Sequence, residues 1–300
     1  MPCYLPLEAY NAPGGISFRR DESFGTRIQL PCGRCLGCRL ARAKEWALRC
    51  HHESEIQKED GLPSSFITLT YRDESLPKNS NLTHEHFQKF IKSYKKRTGK
   101  NCRYFMCGEY GSKNNRPHYH AILFGVHFSD RQLVQTRDGI RVYTSELLAK
   151  CWPHGSHEIG SVTFQSAGYV ARYILKKQQG DADELFERYA LIDPATGEMT
   201  SRTLEYTRMS LKPGIGKLWY DTYKNDLFPQ DIAITPDGRE MPVPKYYREL
   251  LKKDDPKLYE QLRKTRLEKA RDNPDNTPER LAVRHLCRQA KTQNLKRELK

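Results

Sequence analysis

Pro117-His118-Tyr119-His120-Ala121-Ile122-Leu123-Phe124 decides how this chain is read. Aromatic and β-branched residues make it a strand, and a period of two aims both imidazoles at one face, where they can share a metal ion. Upstream, residues 103–109 read as a second strand, with Gly111, Asn114 and Asn115 as turn residues between the two. The pair is expected to form an antiparallel hairpin. Glu109 ends its strand, so the hairpin would bring its carboxylate to His118 and His120 as a third ligand. Two neutral imidazoles and a carboxylate with open positions suit Mg²⁺ or Mn²⁺ for phosphate chemistry, and could also hold Zn²⁺ or Co²⁺.

Working outward, Phe66-Ile67-Thr68-Leu69-Thr70-Tyr71 is another strand. Thr83 can cap a helix whose apolar positions Phe87, Phe90, Ile91 and Tyr94 follow the helical period and which ends near Gly99. A helix at 144–151, a strand near 156–164 and a helix at about 166–178 complete a β-α-β-β-α-β-α order. That order predicts an α+β fold, a sheet with helices on one face. Beyond Gly180 an irregular stretch runs to Met209, a hairpin turns at Asp237-Gly238, and 245–300 read as polar, charged helices. The organisation is therefore a Cys/Arg-rich N-terminal element (1–61), a core (62–180), an accessory region completing the domain (181–244) and a charged helical tail (245–300).

The last core helix carries Tyr169, Tyr173 and Lys176 at i, i+4 and i+7, with Ser166 as a cap, so one face presents two phenols and an amine. A phenol attacks a phosphodiester only when a metal withdraws charge from the phosphate and a cation or base helps the phenolate form. A metal at Glu109, His118 and His120, Tyr169 or Tyr173 as nucleophile and Lys176 as charge compensation supply those parts. Attack would leave a 5′-phosphotyrosine and a free 3′-OH, and a second tyrosine would let a later junction be rejoined. The bland alternative is a noncatalytic basic nucleic-acid-binding protein in which these residues are structural.

The 51 Lys and Arg outnumber 37 Asp and Glu, and the resulting net charge of +14 favours polyanions. No apolar run approaches the roughly 18 residues of a membrane span, and the N-terminus lacks the charged and apolar regions of a signal peptide, so a cytoplasmic, non-membrane protein is expected. Of nine cysteines, Cys32, Cys35 and Cys38 are spaced for a structural Zn²⁺, with Cys3, Cys50 or His51 as the fourth ligand. Arg39, Arg42, Lys44 and Arg49 on a following helix, and Lys212 beside Gly214 and Gly216, are candidates for DNA phosphates. No Gly-rich phosphate loop precedes a Lys-Ser or Lys-Thr pair, so unwinding and synthesis would fall to a host helicase and polymerase.

The Phe66–Tyr71 strand, Pro117-His118-Tyr119-His120 and Tyr169-x-x-x-Tyr173-x-x-Lys176 resemble, in order, the three motifs of HUH endonucleases of the replication-initiator type. Within them the chain is most similar to the replication initiation proteins of gokushovirus-like microviruses, matching their Cys-rich start at residues 31–39 and their Lys-Pro-Gly-Ile-Gly run at 212–216. The resemblance covers roughly residues 1–220. It implies a central antiparallel sheet of the HUH/RRM-like type with flanking helices and a metal over its face. It further implies His118 and His120 as ligands, Tyr169 and Tyr173 as nucleophiles, nicking of the viral-strand origin and rejoining into circles in the cytoplasm of a bacterial host. Relaxases and single-strand transposases are the alternatives within the same superfamily.

Overall fold

In chain order the strands and helices are β1 (Leu7–Ala12), β2 (Gly15–Ser17), β3 (Arg27–Leu30), α1 (Leu36–Glu59), β4 (Ser65–Thr70), α2 (His84–Thr98), β5 (Arg103–Tyr110), β6 (Pro117–Phe124), β7 (Gln132–Arg137), β8 (Ile140–Thr144), α3 (Glu146–Cys151), β9 (His157–Ser161) and α4 (Phe164–Lys177). There follow β10 (Ala190–Ile192), β11 (Met199–Ser201), β12 (Tyr206–Met209), α5 (Lys217–Tyr223), β13 (Ile232–Ile234), β14 (Glu240–Pro242), α6 (Lys245–Asp254), α7 (Pro256–Arg271) and α8 (Pro278–Gln293). This computed structural model describes residues 3–21, 24–25, 27–111, 114–137, 139–177, 189–192, 196–271 and 274–293; the side chains of 137, 172–177, 271 and 293 lie outside that set. Packing groups the chain into two units, residues 44–247 and residues 1–43 with 248–299.

The larger unit is built on a seven-stranded sheet of order β12-β5-β6-β4-β9-β8-β7, and every pairing in it is antiparallel. Alternation along β4 sends Ile67 and Leu69 into a core shared with Tyr119, Ala121 and Leu123 of β6 and with Phe87, Phe90 and Tyr94 of α2. Gly99, left-handed at φ 70°, ends α2 where the sequence places its stop. The opposite face is covered too: Trp46 of α1 stacks on Phe105 of β5 at 4.9 Å, and Tyr169 of α4 meets the ring of His120. The expectation of helices on one face is thereby corrected to helices on both. Double coverage explains why all of β5 and β6 but Arg103, Tyr104 and His118 is buried, where an open sheet would alternate.

Three strands of this sheet lie outside the sequence reading, as do the short strands β1, β2, β3, β10 and β11 elsewhere. The β7–β8 hairpin inserts between β6 and α3, turning near Gly139 (φ 80°), and β12 pairs with β5 out of the stretch read as irregular. The 232–242 hairpin forms around Gly238 as expected. Helix α4 starts two residues earlier than expected, and its cap is Thr163. The Thr163 hydroxyl accepts from the Ser166 amide (3.0 Å) while the Ser166 hydroxyl accepts from the Thr163 amide (2.8 Å), so Ser166 is the inner half of a capping box.

The Lys-Pro-Gly-Ile-Gly run is a clasp on α1. Gly216 donates its amide to buried Glu53 (2.7 Å), which also pairs with Arg103 (2.6 Å), and a Cβ at Gly214 or Gly216 would collide with the Tyr246 or Tyr247 hydroxyl. Beside it, buried His52 stacks on Trp219 at 3.5 Å and hydrogen-bonds the Tyr247 hydroxyl at 3.0 Å. Burial, then the charge of His51, pushes the His52 ring down to about 3. Its neutral form therefore stabilises the fold fully above the unfolded value of about 6.5, and that contribution falls by about 1.4 kcal/mol per pH unit as pH drops towards 3. Thermal unfolding scanned from pH 7 to 4 should show this loss, and H52F should flatten the slope; an unchanged slope in H52F would discard the assignment.

No described helix is long and apolar enough to cross a membrane. In the smaller unit a three-stranded sheet of order β2-β1-β3 accompanies the Cys-rich segment, and α8 stacks His285 on Tyr4 at 5.2 Å.

Candidate active site

Register places the site residues. Glu109 lies directly opposite His118 across the β5–β6 ladder, and Thr68 and Thr70 of β4 lie opposite His120 and His118. Cross-strand partners share a face, so all five stand on the side covered by α1 and α4. One oxygen of Glu109, Oε1, lies 2.7 Å from His118 Nε2 and 2.8 Å from His120 Nε2. The carboxylate is 1% exposed, and its second oxygen is buried with no hydrogen-bond partner among the described residues. Burial pushes the Glu109 carboxyl up, but the charge of His120 and hydrogen bonds from both imidazoles outweigh it and hold the group below the usual carboxylate range.

The far sides of both rings are tied. His118 Nδ1 donates to the Arg116 carbonyl at 3.0 Å, and His120 Nδ1 shares a 2.9 Å hydrogen bond with the Thr68 hydroxyl. Such outer contacts select the tautomer and leave each Nε2 lone pair for a metal. Three ligand atoms within 4.8 Å of one another, an unpartnered carboxylate oxygen and an N₂O donor set fit a divalent cation. Thr68 and the Arg116 carbonyl are supports that sequence reading does not name; the strand period alone would have put Thr68 on the correct face.

Helix α4 brings the ring of Tyr169 edge-on to His120, with centroids 5.3 Å apart. The backbone of the same helix carries Tyr173 and Lys176; their side chains lie outside the described residues. His154 and His157 are not gathered here. His154 stacks on His86 at 4.4 Å, and His157 accepts from the Ser145 amide.

Cys32, Cys35 and Cys38 meet Cys3, with all four sulfurs within 4.8 Å of one another. Amides of Tyr4, Cys32 and Cys35 donate to the sulfurs of Cys35, Cys3 and Cys32, each at 3.3 Å. Burial pushes the Cys35 thiol up, but the Tyr4 and Cys38 amides and the neighbouring thiols override it and bring it to about 6. Cys50 and His51, the other fourth-ligand candidates, belong to residues 44–247. Of the remaining cysteines, Cys107 and Cys151 are buried, Cys102 is half-buried and Cys287 is exposed.

Among the candidate phosphate contacts, Arg42, Lys44 and Lys212 are exposed and Arg39 is half-buried. Arg49 is held between the Trp46 and Tyr246 rings, 4.0 and 4.1 Å from their centroids, and donates to the Ile215 carbonyl. That arrangement ties α1 to the glycine clasp.

An antiparallel sheet with a His-His-Glu cluster beneath a tyrosine-bearing helix defines an α+β protein with a candidate metal centre on its sheet face. Residues 64–178, which span that sheet face and helix, match the family model of the replication-associated protein ORF2/G2P. The chain is 34% identical over 271 residues to replication-associated protein VP4 of Bdellovibrio phage phiMH2K, covering 86% of this chain and 80% of that one. It is 29% identical to replication-associated protein ORF2 of Spiroplasma virus 4, covering 82% and 79%. Against replication-associated protein ORF4 of Chlamydia phage 1 it is 27% identical, covering 75% and 54%. No solved structure matches it significantly. The chain belongs to the phage replication-associated protein family, as a replication initiator of the microvirus type.

Proposed function

We propose that the chain is a metal-dependent DNA endonuclease and strand transferase of the HUH type that nicks the viral-strand origin and later rejoins the DNA into circles. The convergence of Glu109, His118 and His120 beneath Tyr169 is the observation that carries this reading. Mg²⁺ or Mn²⁺ held by these three residues would withdraw charge from the scissile phosphate and template it. Tyr169 or Tyr173 attacks phosphorus in line. The P–O3′ bond breaks, the phenolic proton is lost and the 3′ oxygen takes up a proton, leaving a 5′-phosphotyrosine and a 3′-OH. Lys176, two turns beyond Tyr169 on α4, offsets charge on the phenolate. The ester conserves the energy of the broken bond, so the second tyrosine can reverse the chemistry at a regenerated junction.

The four-thiolate cluster is assigned a structural Zn²⁺. A Zn–S distance of about 2.3 Å puts the sulfurs of a tetrahedral site about 3.8 Å apart, and Cys3 and Cys35 are separated by 3.9 Å. Single-stranded origin DNA is the substrate, exposed cations such as Arg42, Lys44 and Lys212 contribute phosphate contacts, and helicase and polymerase come from the bacterial host in whose cytoplasm the protein acts.

The test uses 5′-labelled and 3′-labelled single-stranded oligonucleotides tiling the origin of the same genome, with Mn²⁺ or EDTA. A detergent-stable protein–DNA band carrying the 3′ label is expected with Mn²⁺, absent in EDTA and absent when Tyr169 and Tyr173 are both Phe. Binding without an adduct at any metal concentration would instead favour a noncatalytic nucleic-acid-binding protein.

A further inference from the structure

His118 stands where the sheet is about to end. It is the outermost residue of β6 paired with β4, opposite Thr70, and the β5–β6 register runs just one pair further, to Tyr110 and Pro117. Strand ends are the first parts of a sheet to open. A ligand ring at such an end needs a hold beyond the ladder itself, and Arg116 supplies it from both its backbone and its side chain.

The Arg116 carbonyl accepts from the Gly111 amide at 2.9 Å, which carries the β5–β6 pairing past Pro117, and it also takes the 3.0 Å hydrogen bond from His118 Nδ1. Pro117 confines the residue before it to extended backbone, which restricts the swing of this carbonyl. The guanidinium reaches the other way, beyond the point where β6 and β4 stop pairing. One nitrogen donates to the Tyr71 carbonyl at 2.8 Å, and another pairs with the Asp73 carboxylate. Tyr71 is a firm anchor: it is buried, and its hydroxyl meets His86 Nδ1 at 2.8 Å and the Tyr119 hydroxyl at 2.9 Å. On either side of it, Thr70 and Arg72 donate their amides to the Ser156 and His154 carbonyls, each at 2.9 Å.

An arginine beside such a cluster could serve by binding phosphate. Here its fork is committed to two protein acceptors, and its own carbonyl is the group that holds the His118 ring. A planar guanidinium fixes direction as well as distance, which a lysine ammonium does not. From these contacts we infer that Arg116 is a positioning residue: its side chain fastens the Arg116 carbonyl to the end of β4, and through that carbonyl it aims His118 Nε2 towards Glu109. This role, which rests on the metal-centre part of the nicking reading above, belongs to a residue that steadies a ligand without touching metal or DNA.

Mn²⁺ binding to the purified chain without DNA, followed by loss of the free-ion paramagnetic resonance signal, tests this apart from any cleavage. R116A should bind Mn²⁺ about 10–100-fold more weakly, the cost typical of losing an outer contact of a metal-bound histidine. R116K, which keeps the charge but not the fork, should lie between R116A and the wild type, and D73A, which keeps the Tyr71 contact, should lie nearer the wild type. In EDTA, amide exchange in R116A should quicken at Gly111 and stay unchanged at Ile67 and Leu69 of the central strand. Affinity for single-stranded origin oligonucleotides in EDTA should not change, and saturating Mn²⁺ should restore adduct formation by R116A. R116K and D73A carry the test if circular dichroism shows R116A to be misfolded. Wild-type Mn²⁺ affinity in both R116A and R116K overturns the assignment. So does an R116A adduct rate that stays low in saturating Mn²⁺ alongside weakened DNA binding, which would make Arg116 a phosphate contact. A normal adduct with no effect of Arg116 on Mn²⁺ sinks only this inference, whereas weaker Mn²⁺ binding in R116A with no adduct from the wild type sinks the nicking reading and leaves the positioning role standing.

Discussion

E109A should lower metal-dependent nicking by at least about 10³-fold, because loss of even an outer-shell partner of a metal ligand typically costs about 10–100-fold. Glu109 is the anionic member of its cluster, and its Oε1 meets both imidazoles. Without it, two neutral rings remain, a weak set for a hard cation such as Mg²⁺ or Mn²⁺. The isosteric E109Q should lose activity similarly while keeping the fold, since the site buries this carboxyl and an amide fills the same space. T68V, which leaves His120 Nδ1 without its partner, should raise the Mn²⁺ concentration needed for half-maximal nicking about 10–100-fold. Nicking rate against Mn²⁺ concentration, with circular dichroism as the control on folding, reads all three. Wild-type metal dependence in E109A would remove Glu109 from the ligand set.

Loss of the zinc proposed for the four-cysteine cluster should have the second large effect, and on structure rather than chemistry. Structural zinc in small domains supplies an apparent binding free energy of about 10–16 kcal/mol, which is at the same time folding free energy. The purified chain should contain one zinc, and C3S or a thiolate-competing chelator should remove it. Hydrogen exchange should then accelerate across residues 3–38 and at α8, where His285 rests on Tyr4 next to Cys3. Cobalt substitution should give the spectrum of four-thiolate tetrahedral coordination in the wild type and lose it in C3S. Stoichiometric iron in place of zinc would reassign the metal; no metal and unchanged exchange in C3S would make the cluster a set of packed thiols.

How far the sequence foretells this molecule depends on the range of the interactions. The hairpin that opposes Glu109 to His118 is legible because its strands are close in sequence, regular in period and joined by turn residues. Helix α2 is legible from Phe87, Phe90 and Tyr94, which recur at helical spacing and are buried. The four-residue strand β12 is not, because its partner β5 lies far upstream and nothing local marks Tyr206–Met209 as a sheet edge. Helices on both faces escape for the same reason: Trp46, upstream of the core sequence, and Tyr169, near its end, come together to cover one side. At the site, a period of two puts His118 and His120 on one face, but only the assembled sheet brings in Thr68. Spacing likewise leaves Cys3, Cys50 and His51 open as the fourth zinc ligand, and the fold brings Cys3 to the cluster. The sequence makes Gly214 and Gly216, beside Lys212, a place for close approach of a phosphate; the Tyr246 and Tyr247 hydroxyls against them show that they also serve packing.

The late arrival of β12 bears on how the chain is made. As the ribosome emits the protein, β5 is synthesised about a hundred residues before the strand that will flank it. During that interval the strand carrying Glu109 is the open border of the growing sheet, with a row of backbone donors and acceptors facing outward. Tyr206–Met209 seals that border, so a nascent chain cut short between β6 and β12 holds Glu109, His118 and His120 on a sheet whose bare edge is a template for pairing with another copy.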